Sequence, residues 1–297
     1  MAPALRTNGL TKYYGTVVGV EDLSIEIERG EVFGFLGANG AGKTTTIRLL
    51  LDLIRPTRGS ASILGADCHR DSLAARRLVG YLPGELPIYP DLSAGAYLAF
   101  LSRVDGRSVT PERLQTLLAR FDVSETDLRR PLRDQSHGMK RKIGIVQALM
   151  ADPPVVILDE PTAGLDPLMV QAFRDTIGDL RQRRDVTVFL SSHVLSEVEA
   201  TCDRIGLIRA GRLVTAGTVD DLRRGTPRRV TVRFERSVGA PPPLPGTSVV
   251  SATERVWVLD VTGPTGAVVR SLAALPVEDV EIEGFRLEDY VLRLYAS

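Results

Sequence analysis

Residues 37–44 read GANGAGKT, the pattern G-x-x-x-x-G-K-[ST], directly after the apolar run EVFGFL and running at Thr44 into TTTIRLLLDLI, which has helical spacing. A strand, a glycine loop and a helix in that order commit this part of the chain to an α/β fold. Glycines at 37, 40 and 42 let the backbone wrap a phosphate with its N–H groups inward, and the helix start adds positive potential. Lys43 supplies a mobile charge for the β and γ phosphates, and the Thr44 hydroxyl is suited to ligate Mg²⁺. The nucleotide-binding segment is therefore Gly37, Ala38, Asn39, Gly40, Ala41, Gly42, Lys43, Thr44 and Thr45. An incidental glycine turn is the blander alternative, and the flanking strand and helix speak against it.

Other short apolar runs also end in turns that look chemical. PVVILDE ends on Asp159 and Glu160, VTVFLSSH ends on His193, and DRIGLIRAGRLVTAG reads as two strands joined at Ala210–Gly211. These are the buried strands of an α/β sheet with chemistry at their carboxyl ends. Two adjacent acids at the end of a buried strand need a partner, because burying an unpaired carboxylate is costly. Mg²⁺ provides one: Asp159 joins Thr44 in holding the metal, and Glu160 faces the water that attacks the γ phosphate.

At 297 residues the chain is long enough for one large and one small domain. An ATPase domain is expected over 1–225, with a helical insertion near 86–150 that carries SAGAYLAFLSRV and TPERLQTLLARF behind Ser and Thr caps. An α+β accessory domain is expected over 226–297: RVTVRFE, VWVLDV and VEDVEIE alternate as strands, and GAVVRSLAALP and FRLEDYVLRLY have helix spacing. The stretch APPPLPG at 240–246 reads as a short rigid turn or linker.

Lys plus Arg and Asp plus Glu each total 37, so no basic field argues for nucleic acid. Cys68 and Cys202 show no disulfide or zinc spacing and read as packing residues of a reducing compartment. With neither a signal-peptide h-region nor a long apolar run, a membrane role requires another chain. His69, in DCHRDS, reads as a solvated loop residue, RRGTPRR at 223–229 as a solvated linker, and Trp257 as core.

In order and spacing these motifs resemble the ATP-binding subunits of ABC transporters, over about residues 5–220. The resemblance implies a P-loop NTPase fold with Tyr14 stacked on adenine, GANGAGKT as Walker A, VVILDE as Walker B, Asp166 of AGLD in the D-loop and His193 as switch histidine. QSHGM then falls where the family has its LSGGQ signature, which grips the γ phosphate held by a second copy. Ser136 supplies the hydroxyl and Gly138 the close backbone approach, while His137 replaces a glycine and Met139 a glutamine. Where the family often has a glutamine after YLP, this chain has Gly84 followed by Glu85, which is expected to couple the site to a permease.

YLPGEL and the C-terminal appendage resemble the exporter branch, in which the permease is a separate integral membrane protein. The resemblance thus implies ATP and Mg²⁺ as cofactors, a homodimer, a place at the cytoplasmic face of the cell membrane, and export of a drug, antibiotic or lipid-like substrate. Its rivals are a soluble ABC ATPase of translation or DNA repair and a nucleotide-dependent regulator without a permease. Translation-type members usually carry two such domains in one chain and repair-type members carry long coiled coils, and this chain has neither.

Overall fold

The computed structural model describes residues 2–86, 89–224, 227–242 and 246–283. Its chain contacts divide into two compact units that meet between Ala216 and Gly217.

The first unit begins with a hairpin, β1 (Leu5–Tyr14) and β2 (Val17–Ile27), followed by β3 (Val32–Leu36) and α1 (Lys43–Leu50). Then come β4 (Arg58–Ile63), β5 (Ala66–Asp67), α2 (Ser72–Arg77) and β6 (Val79–Leu82). Four helices follow: α3 (Ala94–Asp105), α4 (Pro111–Arg120), α5 (Glu125–Arg129) and α6 (His137–Leu149). Ser93 and Thr110 cap α3 and α4 by accepting the N–H groups of Ala96 and Arg113. The unit closes with β7 (Val155–Asp159), α7 (Pro167–Arg183), β8 (Thr187–Ser192), α8 (Leu195–Thr201), β9 (Arg204–Arg209) and β10 (Arg212–Thr218). Ala210 and Gly211 both have positive φ, 47° and 79°, which matches the two-residue turn between β9 and β10.

Two sheets result. One is antiparallel in the order β2-β1-β4-β5; the other runs β10-β9-β3-β8-β7-β6, with parallel pairing from β9 through to β6. Every residue of β3, β7 and β8 is buried, as expected of strands covered on both faces. Ile47, Leu49 and Leu50 of α1 join one core with Leu5 and Leu23 of the first sheet and Phe33, Ile157 and Phe189 of the second. That core fixes the start of α1, and therefore the glycine loop, against the strand ends.

The second unit holds α9 (Val219–Arg224), β11 (Arg228–Phe234), β12 (Thr247–Ala252), β13 (Val256–Val261), α10 (Gly266–Leu272) and β14 (Val277–Glu283). Its antiparallel sheet runs β12-β13-β11-β14. Trp257 is core, with its ring centroid 4.6 Å from that of Phe234. The expected helix FRLEDYVLRLY lies outside the described residues, as do Gly225 and Thr226 of the arginine stretch and Pro243–Pro245 of the linker.

His69 is not the solvated loop residue that its polar surroundings suggest. Its side chain is mostly buried and its Nδ1 lies 2.9 Å from Asp52 Oδ1. Asp52 leaves α1 at φ 54°, a turn that carries its carboxylate toward the chain ahead of α2. Arg229 is likewise a strand residue 3.2 Å from Asp260, not linker. The thiols of Cys68 and Cys202 are both pushed up to about 12 by burial, as inert packing residues should be.

Candidate active site

Strand register assembles the site. Leu36 of β3 stands beside Ser192 of β8, and Ser191 stands beside Asp159 of β7. Gly37 and His193, the next residues out, therefore leave β3 and β8 at one level, with Glu160 leaving β7 one residue short of them, and the Gly37 N–H bonds to the Ser192 carbonyl at 3.3 Å. Three motifs separated by up to 156 positions become one site because neighbouring parallel strands end together.

Gly42 begins α1 at φ 113°, and a β-carbon there would lie 2.6 Å from the Gly19 carbonyl oxygen, so only glycine fits this close approach. Lys43 is buried and donates to the carbonyls of Gly37 at 2.7 Å and Ala38 at 3.2 Å. The Thr44 hydroxyl donates to Asp159 Oδ2 at 2.9 Å, and Ser191 Oγ donates to Asp159 Oδ1 at 2.6 Å. Hydroxyl and carboxylate oxygens are hard donors that suit Mg²⁺. Among the described residues no cluster of His, Cys, Asp and Glu is placed to cage a metal alone.

Glu160 has φ 51°, a conformation that costs a non-glycine residue about 1–3 kcal/mol and persists only where its surroundings enforce it. Its N–H is shared by the carbonyl and hydroxyl oxygens of Ser191. The turned backbone aims the carboxylate between two nitrogens: Oε2 is 2.7 Å from His193 Nδ1 and Oε1 is 3.1 Å from Lys43 Nζ. The Lys43 contact is one of charge rather than an aligned hydrogen bond, and Oε1 is otherwise a buried oxygen without a donor. A carboxylate so placed has lone-pair capacity to take a proton from water.

The cleft in front of these groups, about 300 Å³, is lined by Tyr14, Val17, Val18, Gly19, Asn39, Gly40, Gly42, Lys43, Thr44, Thr45 and Glu160. Tyr14 is 45% exposed and its ring covers Gly19, where a β-carbon would lie 2.8 Å from the ring. A second cleft between α4 and α7 contains Arg113, Arg120 and Arg183, but each is already paired with Asp152, Asp179 or Asp185.

Ser136, Gly138 and Asp166 do not line the nucleotide cleft. Ser136 caps α6, its hydroxyl oxygen accepting the Met139 N–H at 3.1 Å. The His137 ring lies on Gly164, where a β-carbon would be 2.6 Å from it. Asp166 caps α7 by accepting the Met169 N–H at 3.0 Å. Gln135 is buried and donates to the Asp127 carbonyl, so its side chain points inward rather than toward a ligand. Glu85 is exposed.

Sequence reading passed over Arg141 and Glu197. Glu197 on α8 accepts the Thr162 hydroxyl at 2.6 Å and lies 3.4 Å from Ser192 Oγ, tying the segment after β7 to the end of β8. Arg141 sits inside the basic run MKRK, yet the helix it belongs to is buried on nearly every side. A charged residue in so buried a helix demands partners, and that is the signal that points to it. Burial pushes its pKa down, while Asp159 and Glu160 pull the other way.

A family model described as ABC transporter matches residues 20–163. The bacitracin transport ATP-binding protein BcrA of Bacillus licheniformis is 36% identical over 75% of this chain and 72% of its own length. The daunorubicin resistance ATP-binding protein DrrA3 of Streptomyces coeruleorubidus is 34% identical over 98% of this chain and 95% of its own length, so the likeness takes in the second unit. A solved ATP-binding subunit of an ABC transporter superposes with a TM-score of 0.68 at 32% identity, covering 74% of this chain and 92% of that one.

Proposed function

The chain belongs to the ATP-binding subunits of ABC transporters, and we propose that it hydrolyses ATP in a nucleotide-sandwiched homodimer that drives a separate membrane permease for export. The observation that carries this reading is the cleft itself. It gathers the phosphate loop, Glu160 and Tyr14, yet it lacks Ser136 and Gly138, which stand at the start of another helix. A second copy facing the first, signature to loop, completes two equivalent sites about a twofold axis.

Within each site Lys43 and the loop N–H groups bind the β and γ phosphates, and Tyr14 stacks on adenine. Glu160 accepts the proton of the attacking water, and His193 holds that carboxylate and the γ phosphate in line. Thr44 and Asp159 hold Mg²⁺, which when bound neutralises phosphate charge. The second unit acts as an accessory domain. Among the described residues no helix is long and apolar enough to cross a membrane. As the ATP-binding subunit of a transporter, the chain attaches at the cytoplasmic face through its permease. The names of the bacitracin and daunorubicin relatives support an antibiotic or drug cargo.

Tagged protein purified from detergent-solubilised membranes of its host is expected to bring down an integral membrane chain whose presence raises the ATPase rate. Recovery without any membrane chain after cross-linking, at an unchanged rate, counts against a permease partner. Tyr14→Ala is expected to weaken ATP binding by the worth of one base–aromatic stack, about 1–3 kcal/mol or roughly five- to 150-fold. Ground and transition states share that contact, so saturating ATP restores most of the rate. Steady-state kinetics decides: a large fall in kcat at unchanged KM removes Tyr14 from base contact.

A further inference from the structure

Arg141 is 2% exposed, and its hydrogen bonds all run to main-chain carbonyls. Nη1 donates to Pro83 at 2.7 Å and Gly84 at 3.0 Å, in the loop that follows β6. Nη2 donates to Asp159 at 2.7 Å and to Glu160, and Nε donates to Pro161 at 3.2 Å. A guanidinium has five N–H groups in a rigid planar fork, and here five carbonyls meet it.

The fork joins three pieces of chain: the helix that Ser136 caps, the loop that carries Gly84 and Glu85, and the exit from β7. The last matters most. Carbonyls 159 and 160 flank the residue held at φ 51°, and both are pinned by one side chain. A peptide plane fixed on either side leaves the Glu160 backbone little freedom to relax toward an ordinary φ. The loop is drawn equally close: a β-carbon on Gly84 would lie 3.2 Å from Asp159 Oδ2.

We propose that Arg141 is a positioning residue for hydrolysis, a clamp that fixes the backbone at Glu160 and makes the α6 start, the Gly84 loop and the end of β7 move as one body. This rests on Glu160 acting as the base. Lysine cannot replace the fork, because an ammonium is a single point with three donors and reaches only part of the carbonyl set. Glutamine removes the charge and leaves most of the carbonyls unmatched.

The test uses the full chain with Arg141→Gln and Arg141→Lys, each alone and combined with Glu160→Gln. Binding of a fluorescent ATP analogue is expected to stay within about twofold, because no clamp contact touches the phosphate loop. Arg141→Gln is expected to lower kcat by about 10²-fold, the scale of an ångström-sized misplacement of a catalytic group, and Arg141→Lys to recover part of it. In the Glu160→Gln background the same Arg141 substitutions should change the residual rate by less than about twofold, since the group they position has lost its proton-accepting role. A side chain that merely holds the fold together would not show that dependence on background.

A normal kcat in Arg141→Gln overturns the proposal, and so does an equal fold-loss in both backgrounds. Should Arg141→Gln fail to bind the analogue, Arg141→Lys carries the same comparison, with a kcat loss confined to the Glu160 background as the supporting result. A normal rate in Glu160→Gln alone would remove the base assignment and the clamp with it, and that failure is recognised without any change at Arg141.

Discussion

Glu160→Gln is expected to turn over ATP about 10²–10⁴-fold more slowly than the unaltered chain while still binding it, and to accumulate as a closed dimer. The substitution keeps the side chain's size and an oxygen that can meet His193 Nδ1, 2.7 Å away, but it removes the proton acceptor. Lys43 keeps its bonds to the carbonyls of Gly37 and Ala38, so the phosphate loop stays formed. Binding and chemistry therefore separate: the ATP Kd stays near normal and the loss falls on kcat. Single-turnover phosphate release measures the rate, and size-exclusion chromatography with ATP measures the trapped dimer. A normal rate of phosphate release would take the base role away from Glu160.

The glycine loop, Asp159, Glu160 and His193 were legible because phosphate chemistry dictates both residue type and place, and each place is the end of a buried apolar strand. Apolar runs mark such strands without any knowledge of their neighbours. The antiparallel sheet of β1, β2, β4 and β5 went unread because β1 shifts register after Thr7 and again near Lys12, so it has no sustained alternation. β12 went unread for a different reason. Nearly all of its residues are exposed, and it exists as a strand through its pairing with β13. Two side chains illustrate the same limit at the site. The Asp52–His69 contact and the carbonyls around Arg141 are products of chain path, and carbonyls carry no mark in a sequence.

Ser136→Arg is expected to abolish cooperative ATP hydrolysis while leaving ATP binding by the single chain intact. Ser136 is absent from the cleft of its own chain, so nothing at the phosphate loop changes. The new side chain loses the cap on α6, worth about 1 kcal/mol, and places bulk and flexibility where the partner's γ phosphate must approach the helix start. Lys43→Ala fails for the opposite reason, because its own loop no longer holds the phosphates. Mixing the two inactive proteins separates a shared site from an unshared one. In a mixed dimer one site combines the altered loop with the altered signature, and the other combines an unaltered loop with an unaltered signature. Random pairing makes half of the dimers mixed, so roughly a quarter of normal activity should return if each site turns over independently. If the sites lie within single chains, both proteins in the mixture carry a damaged site and no activity returns. Mixed dimers proven by differential tagging, yet inactive, would therefore place Ser136 outside the neighbour's site and leave its role as the cap of α6.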